Sequence, residues 1–222
     1  MTELIIRSER IRALCENKRV LDVGCCAHGE LARRHSEKFL HGQIVACARE
    51  VVGVDNDAEA IKIVAAAGYP VLQGDALALS SLGLGEFDVV VAGELIEHLS
   101  CPGRFLDEAY RCLRPGGVII VTVPNAYAFT RLKQMRKGID DALWTHSQHT
   151  CWYSRATTRF LLERHGFQLQ ELAYCDLFRS NRPWKRVQDY VRMGWATGVR
   201  FSESIFAVGR KPPGASVTHA HG

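Results

Sequence analysis

Short apolar runs alternate with helical segments along this chain. The runs at residues 20–23, 51–54 and 87–92 are rich in valine and end at a glycine or an acidic residue, as short buried strands do. Segments of helical periodicity separate them. Strands that alternate with helices are typical of a parallel sheet with right-handed crossovers. The pattern therefore predicts an α/β protein with a doubly wound, mostly parallel sheet and helices on both faces.

Seven strands are predicted in all, and only the last is expected to run antiparallel. Glycine, proline and the change of hydrophobic period set the boundaries of the elements. The predicted strands are residues 20–23, 51–54, 71–73, 87–92, 118–123, 167–174 and 201–208. The predicted helices are residues 4–17, 31–49 with a break at His41-Gly42, 58–67, 105–113, 157–165 and one that begins near residue 181.

The domain organisation follows from the length and from the change of pattern after Pro124. With 222 residues, 47% of them hydrophobic, the chain can bury one sizeable core. We expect a single domain over residues 1–211. Two segments, about 125–150 and 179–198, are expected to cover the carboxyl edge of the sheet, where loops choose the substrate. The composition of residues 212–222, which are rich in glycine and histidine, predicts a disordered tail.

Net charge and cysteine content indicate the cellular compartment more clearly than they indicate the function. A formal net charge of +4 is too small to indicate nucleic acid by itself. The eight cysteines include the adjacent pair Cys25 and Cys26 but form no C-x-x-C pair, and most lie in apolar runs as small hydrophobic residues do. No signal peptide and no apolar run of about 18 residues is found. We therefore expect a cytoplasmic protein with reduced thiols.

The stretch V-L-D-V-G-C-C-A-H-G-E at residues 20–30 is the strongest local motif. It predicts a strand, a glycine turn at Gly24 and Gly29, and a helix, which together expose backbone N–H groups to a nucleotide-like ligand. Asp22 lies inside the apolar strand and needs a partner, because a buried carboxylate without one is costly. The sequence therefore predicts a ligand site at this turn.

Two further strand ends carry acids. Asp55 follows the second apolar run, where a doubly wound fold places an acid that accepts both ribose hydroxyls. The alternative for Asp55 is a helix N-cap, a role that Asn56 or Asp57 could also fill. Asp75 follows the third run, and an ordinary turn aspartate is its alternative. The three strand ends together predict one site at the carboxyl edge of the sheet.

The order of these motifs resembles the class I S-adenosylmethionine-dependent methyltransferases. The motifs are L-D-V-G-C, V-G-V-D-N-D, Q-G-D-A, F-D-V-V-V-A-G-E-L-I-E-H-L and L-R-P-G-G-V-I-I-V-T-V-P-N, and they cover about residues 15–175. The resemblance is greatest to the subgroup of ubiquinone-biosynthesis O-methyltransferases, and it implies a Rossmann-like fold. One departure is Cys26, which replaces the usual second glycine of the turn and weakens a dinucleotide interpretation.

The resemblance implies S-adenosylmethionine as the cofactor and assigns roles around it. Asp55 would bind the ribose and Asp75 the adenine amino group, while Asp22 would hold turn amides or approach the methionine amino group. The residues expected to bind the cofactor are Asp22, Gly24, Cys25, Gly29, Asp55, Asn56, Asp75, Ala76, Gly93 and Glu94.

A cluster at residues 94–98 supplies the candidate catalytic groups. Glu94, Glu97 and His98 are spaced i, i+3 and i+4, so on a helix they would share one face. An imidazole has an unperturbed pKa near ~6.5, which suits a general base for an acceptor hydroxyl. His98, His149 and Glu97 are therefore the catalytic candidates. The alternative is a first-turn acid cluster in which His98 only packs or caps.

A divalent metal site is a second interpretation of the same residues. Glu94, Glu97, His98, His146 and His149 offer oxygen and nitrogen ligands of the kind that bind divalent metals. The spacing is similar to the E-x-x-E-H and H-x-x-H arrangement of small-RNA 3′-terminal 2′-O-methyltransferases.

The favoured function is O-methylation of a hydroxyl group on a small molecule or glycan. Both covering segments contain arginines and lysines, which could bind an anionic acceptor. The alternative is that these residues only form a solvated helix face. A metal-dependent RNA 2′-O-methyltransferase and a non-catalytic cofactor-binding protein are the alternatives, with a dehydrogenase a distant third. An amine acceptor also stays open. The sequence does not indicate the oligomeric state.

Overall fold

The computed structural model describes residues 4–26, 39–136, 138, 148–176, 200 and 202–214. Within these residues, eight strands form one sheet in the order β1-β7-β8-β6-β5-β2-β3-β4. The strands are β1 (Leu4–Ile6), β2 (Arg19–Val23), β3 (Glu50–Asp55), β4 (Val71–Gln73), β5 (Phe87–Gly93), β6 (Leu113–Pro124), β7 (Gln168–Asp176) and β8 (Ser204–Arg210). The predicted α/β class is confirmed.

Six described helices connect or flank these strands. They are α1 (Arg7–Cys15), α2 (Leu40–Val45), α3 (Ala58–Ala66), α4 (Pro102–Cys112), α5 (Phe129–Arg136) and α6 (Arg155–Arg164). Two 3₁₀ segments, Ala76–Leu82 and Ile96–His98, follow β4 and β5. In the part of the chain that the structure describes, no helix is both long and apolar enough to span a bilayer.

The strand directions agree with the prediction of a mostly parallel sheet. β2 is parallel to β3 and β5, and β5 is parallel to β6. β8 runs antiparallel to both of its neighbours, β6 and β7. The carboxyl ends of β2, β3, β4 and β5 therefore meet at one edge of the sheet, which is where open parallel sheets bind ligands.

The sheet has one strand more than predicted. Residues 4–6 form β1, parallel to β7, with Leu4 opposite Tyr174 and Ile6 opposite Asp176, whereas the sequence predicted a helix from residue 4. The residues Leu-Ile-Ile suit a strand, but a run of three is too short to show an alternating pattern. The partner strand lies far along the chain, so local periodicity could not indicate the pairing.

Both faces of the central sheet are buried. In β2, Leu21 and Val23 pack into one apolar cluster and Val20 packs into the other. The same alternation holds in β5, where Val90 faces the first cluster and Val89 the second. Continuous apolar strands with helices on both faces explain this arrangement. The central strands thus form a rigid support for the residues at their carboxyl ends.

The bounds of several elements differ from the prediction by a few residues, the helix α5 was not predicted, and at two further places the kind of local structure differs. Helix α2 contains His41 and Gly42, where the sequence predicted a break. Strand β6 begins at Leu113 and includes Pro115-Gly116-Gly117, which the sequence predicted as a turn; the register shift between Phe87 and Val89 accommodates this start. The predictions for residues 27–38, 139–147, 177–199 and 215–222 lie outside the described residues.

Candidate active site

A cavity of about 620 Å³ lies at the carboxyl edge of the sheet. Its wall is built from the ends of β2, β3, β4 and β5 and from the start of α1 and α2. It contains ten of the residues predicted from sequence, namely Asp22, Gly24, Cys25, Asp55, Asn56, Asp75, Ala76, Gly93, Glu94 and His98. Gly29, the remaining predicted cofactor residue, and His146, a predicted metal ligand, lie outside the described residues.

The turn after β2 is held against β3 through Asp55. The backbone N–H of Cys26 donates to Oδ2 of Asp55 over 2.9 Å, and the N–H of Asp57 donates to Oδ1 over 3.0 Å. A carboxylate has about four acceptor sites, so the two described bonds leave acceptor capacity for ligand hydroxyls. Asp57, which accepts from the N–H groups of Glu59 and Ala60, provides the N-cap of α3.

Gly24 allows neighbouring groups to approach the backbone closely at this turn. Its φ of +72° lies in the left-handed region, which glycine occupies without steric cost. A Cβ at Gly24 would lie 2.8 Å from Cδ1 of Leu95. The glycine therefore allows the turn and the segment after β5 to form a narrow cradle.

The Cys26 side chain does not obstruct the cavity. It is 2% exposed and packs with Phe39, Ala60 and Val64 in an apolar cluster. Cys25 belongs to the same cluster but also lines the cavity. A hydrogen bond with the Cys26 side chain, followed by burial, raises the pKa of the Cys25 thiol. The departure from the usual glycine at position 26 is thus accommodated by directing the side chain into the core.

Asp22 has a partner that the sequence did not predict. Its Oδ2 lies 2.8 Å from Nδ1 of His41, and Nε2 of His41 lies 3.2 Å from the carbonyl oxygen of Pro70. Each ring nitrogen of His41 therefore faces an oxygen atom that can accept a hydrogen bond. Asp22 thus has the buried partner that its position requires, and its predicted approach to turn amides or to the methionine amino group stays a prediction, because a carboxylate can accept several hydrogen bonds.

We expect His41→Asn to destabilise the protein by about 3–5 kcal/mol, because removing one partner leaves the other charge buried without compensation. Chemical denaturation of the ligand-free protein measures this loss. The double variant Asp22→Asn/His41→Asn should recover part of it, because the unpaired charge is then absent. A double variant as unstable as the sum of the two single variants would contradict the pairing.

The structure shows the turn role of Asp75, and its contact with the adenine stays a prediction. It lies in the cavity wall, and its Oδ1 accepts the N–H of Leu77 over 2.8 Å as the N-cap of the 3₁₀ segment after β4. The turn-aspartate interpretation is thus present in the structure. It does not compete with a ligand contact, because a carboxylate can accept several hydrogen bonds.

Glu94 occupies the end of β5 in a strained conformation. Its φ is +55°, a region that residues with a Cβ rarely adopt. Its N–H donates to the carbonyl oxygen of Thr122 over 2.9 Å. Burial raises the pKa of Glu94, and the positive charge of Arg7 opposes that rise. Because Glu94 precedes the 3₁₀ segment, the predicted shared helical face for residues 94, 97 and 98 is wrong.

Glu97, His98 and His149 nevertheless lie together. One side-chain ligand atom from each residue falls within 4.8 Å of the others. The rings of His98 and His149 are edge to face, with 4.7 Å between centroids. Thr150 fixes this approach, because its N–H donates to the carbonyl oxygen of Glu97 over 2.7 Å. The structure thus joins residues that are about fifty positions apart in sequence.

The carboxyl group of Glu97 is deeply buried within this cluster. The residue is 1% exposed, and neither carboxyl oxygen has a hydrogen-bond partner among the described residues. Burial, followed by the charge of Glu94, raises the pKa of Glu97 to about 8. With two imidazoles beside it, this carboxyl group offers the mixed oxygen and nitrogen donors that suit a divalent transition metal.

The raised pKa of Glu97 predicts a pH-dependent stability. The folded protein binds this proton more tightly than the unfolded chain, so this contribution to stability is fully present below about pH 4.5 and is lost as the pH rises to about 8, by on the order of 5 kcal/mol. Denaturation midpoints measured with a chelator present should fall over this window. Glu97→Gln should show a smaller fall, whereas Glu59→Gln, at an exposed ion pair with Lys62, should behave as the original protein does. Equal pH profiles for all three proteins would contradict the assignment.

Several residues of the cavity were not found by sequence reasoning. Arg7, Phe39, Leu40, His41 and Gln148 line it, and they come from three separate segments. Arg7 belongs to the helix predicted for residues 4–17, in which the sequence analysis named no site residue. Its position in the site depends on β1 pairing with β7, so no local signal could have identified it.

The fold and site define the class of this protein. An open parallel sheet, with a ligand cavity at its carboxyl edge and an acid after the strand next to the glycine turn, is the Rossmann-like nucleotide-binding arrangement. Residues 4–172 match the family described as a methyltransferase domain. The chain belongs to that family, and the resemblance identified from its motifs is confirmed.

Curated relatives agree with this family. A protein of Mycolicibacterium smegmatis, named a probable S-adenosylmethionine-dependent methyltransferase, is 33% identical over 166 residues, which are 73% of this chain and 57% of that protein. A ubiquinone biosynthesis O-methyltransferase of Psychrobacter cryohalolentis is 29% identical over 127 residues, which are 50% of this chain and 44% of that protein. The chain spans about half the length of these curated relatives.

A solved structure shows the same fold. A candidate methyltransferase from Bacillus halodurans matches with a TM-score of 0.60 and 22% identity, covering 93% of this chain and 97% of the other. At this identity the likeness shows the fold and leaves the acceptor undefined.

Proposed function

We propose that the protein transfers the methyl group of S-adenosylmethionine to a hydroxyl group of a small molecule or glycan. The observation that supports this most is that one cavity contains both Asp55, at the end of β3, and His98, after the end of β5. Cofactor-binding carboxylates and a candidate base therefore share one space. The ubiquinone biosynthesis O-methyltransferase among the relatives supports an oxygen acceptor.

The residues of the cavity fit the cofactor. Asp55 keeps acceptor capacity for ribose hydroxyls while its two described bonds hold the turn, and Asp75 lies at the neighbouring strand end for the adenine. Gly24 leaves room for the ligand to approach the backbone. The bound cofactor would supply an activated methyl group, so the protein has to orient the acceptor and remove its proton.

His98 is the residue that we assign to proton removal. It lines the cavity, and a neutral imidazole accepts a proton from an aligned hydroxyl with a typical gain of ~100- to 10,000-fold. Glu97 and His149 lie against it, and an ionised Glu97 would stabilise the imidazolium that forms. The raised pKa of Glu97 places this ionisation above neutral pH, so activity should rise as the solution becomes mildly alkaline.

A metal-assisted reaction is the second candidate, and the unpartnered oxygens of Glu97 support it. Glu97, His98 and His149 would hold a divalent cation, which lowers the pKa of a bound hydroxyl. This alternative includes methylation of an RNA 2′-hydroxyl. Glu94, part of the predicted ligand set, does not belong to the cluster of three.

One experiment tests these proposals together. Calorimetry with S-adenosylhomocysteine should show binding, and NAD should not bind. Release of S-adenosylhomocysteine should then be measured with a panel of catechols, phenols, pyranosides, matching amines and a short RNA, each with and without EDTA. Turnover of a hydroxyl compound supports the proposal, and EDTA sensitivity reversed by Mn²⁺ or Mg²⁺ supports the metal. Methylation of amines alone would overturn the oxygen acceptor, and binding of NAD alone would overturn the methyl transfer.

A further inference from the structure

Two adjacent thiols lie at the turn after β2, beside the cavity. The side chains of Cys25 and Cys26 are hydrogen-bonded to each other, and the two residues are 6% and 2% exposed. Both are free cysteines. Cys25 also lines the cavity, so an ion that enters the cavity can reach the pair. The proposed methyl transfer assigns no chemistry to either sulfur.

Asp55 adds a third donor to the two sulfurs. One ligand atom from each of Cys25, Cys26 and Asp55 lies within 4.8 Å of the others. A tetrahedral Zn²⁺ ion, with Zn–S bonds of about 2.3 Å and Zn–O bonds of about 2.0–2.2 Å, separates such ligand atoms by about 3.5–3.8 Å. A shift of about 1 Å would therefore close the three donors around one ion. The Cys26 N–H, which donates to Oδ2 of Asp55 over 2.9 Å, already holds the carboxylate beside the thiols.

A glycine on β3 fixes the position of the first sulfur. A Cβ at Gly53 would lie 2.8 Å from Sγ of Cys25, so any larger residue would displace the thiol. Gly53 lies on the same strand as Asp55, two positions before it. The sulfur therefore packs over bare backbone next to the carboxylate, and the donors are placed by the main chain before any ion binds.

The charges and the donor types at this place favour a soft cation. The hydrogen bond from Cys26, burial and the charges of Asp22 and Asp55 raise the pKa of the Cys25 thiol. The same negative charges attract a divalent cation, whose binding to sulfur releases the thiol protons to solvent. Two thiolates and one carboxylate suit Zn²⁺ or Cd²⁺, whereas Mg²⁺ and Ca²⁺ prefer oxygen ligands. A water molecule can complete a tetrahedral ion at the fourth position.

We propose that Cys25, Cys26 and Asp55 form a binding site for a thiophilic divalent cation such as Zn²⁺, and that the bound ion excludes S-adenosylmethionine. The metal site goes beyond the proposed function, and only the exclusion rests on it. A carboxylate has about four acceptor sites, and backbone N–H groups occupy two of those of Asp55. The remaining two are needed for the two ribose hydroxyls, so Asp55 cannot bind the ion and the ribose together.

The competing explanation is that both cysteines only fill space as small apolar residues do. Cys26 packs against Phe39 and Val64, which fits that explanation. Replacement by alanine distinguishes the two, because it keeps a small apolar side chain and removes the sulfur. The other candidate metal cluster, at Glu97, contains no sulfur, so absorbance from thiolate–metal bonds reports on the cysteines alone.

The experiment titrates the protein, kept reduced with a phosphine, with Cd²⁺ and records the ultraviolet charge-transfer absorbance of cadmium–thiolate bonds. The proteins compared are the unmodified chain and the variants Cys25→Ala, Cys26→Ala, Cys101→Ala and His149→Ala. Cys101 is an exposed free thiol and controls for binding to any cysteine, while His149→Ala controls for the other cluster. Zn²⁺ affinity is measured by competition with a chromophoric chelator. Calorimetry with S-adenosylhomocysteine is then performed with and without Zn²⁺.

Cys25→Ala and Cys26→Ala should each reduce the absorbance to about half or less, because each removes one of two thiolates. Loss of a partner outside the ligand shell already weakens metal binding by about 10- to 100-fold, so loss of a ligand should weaken Zn²⁺ binding by about 100-fold or more. Cys101→Ala and His149→Ala should match the unmodified protein in absorbance. Zn²⁺ at about ten times its dissociation constant should weaken S-adenosylhomocysteine binding about tenfold, and Cys26→Ala should remove this effect.

The possible failures are distinguishable. Lack of thiolate absorbance in the unmodified protein, or equal absorbance and Zn²⁺ affinity in all variants, would overturn the metal site. Zn²⁺ binding that leaves the affinity for S-adenosylhomocysteine unchanged would overturn the exclusion. If the unmodified protein does not bind S-adenosylhomocysteine without metal, the proposed function fails, and the absorbance still decides whether the metal site exists.

Discussion

Replacing His98 by alanine is expected to lower kcat by about 100- to 10,000-fold, because this is the range in which a positioned general base contributes. The affinity for S-adenosylhomocysteine should change less than about threefold, since the ring follows β5 and the carboxylates proposed to bind the adenosine, at the ends of β3 and β4, remain. Calorimetry and initial-rate measurements with the best hydroxyl acceptor separate these two effects.

His165→Ala is the matched control for this change. His165 pairs with the carboxylate of Asp107 over 2.7 Å. It directly follows α6 and does not line the cavity, so kcat should stay within about twofold. His149→Ala adds a further distinction. A base at His98 predicts a loss of about tenfold or less at His149, whereas a metal held by both rings predicts similar losses in both variants. Unchanged turnover in His98→Ala and His149→Ala would exclude a catalytic role for these rings.

Replacing Asp55 by alanine is expected to weaken S-adenosylhomocysteine binding by about 100-fold or more. Two hydrogen bonds from ribose hydroxyls to a charged acceptor are lost, each contributing about 1.5–3 kcal/mol. The same change removes the acceptor of the Cys26 N–H, so the turn that cradles the ligand also loses its anchor. Calorimetry on the folded variant measures the combined loss.

Two further variants separate these contributions. Asp55→Asn keeps one acceptor oxygen and should retain more affinity than the alanine variant. Asp57→Ala removes only the N-cap of α3, which should cost about 1 kcal/mol of stability and leave the affinity unchanged. An Asp55→Ala protein that binds S-adenosylhomocysteine as tightly as the original would remove the ribose assignment.

Sequence reasoning located the residues of the cavity that lie at the carboxyl ends of individual strands. Gly24, Asp55 and Asp75 stand at the ends of apolar runs, and Asp22 lies near the end of the first run. Parallel strands bring such ends to one edge of the sheet. These ends meet at the same edge of the sheet whatever the order of the central strands. Local patterns therefore sufficed to predict that these residues meet at one cavity, and their contacts with a cofactor stay predictions.

The acceptor side depends on contacts between distant segments, and here the sequence was less informative. Glu97 and His149 meet only because Thr150 binds the backbone beside the 3₁₀ segment. The pair His41-Gly42 indicated a helix break when its sequence was considered alone. The contact of His41 with Asp22 could not be predicted, because Asp22 belongs to another element. The positive φ of Glu94 similarly results from the end of β5 meeting β6, which no spacing of residues in the motif could show.

The placement of β8 has a consequence for how the molecule is assembled during translation. β8 lies between β6 and β7, and its residues 204–209 are all buried, yet it is the last described strand to leave the ribosome. A nascent chain that ends after β7 would expose two unpaired strand edges, which are templates for aggregation. It would also leave β1 and β7 detached from the other strands. The slowest stage of productive folding should therefore be insertion of this strand, and truncation before residue 204 should yield a protein that depends on chaperones.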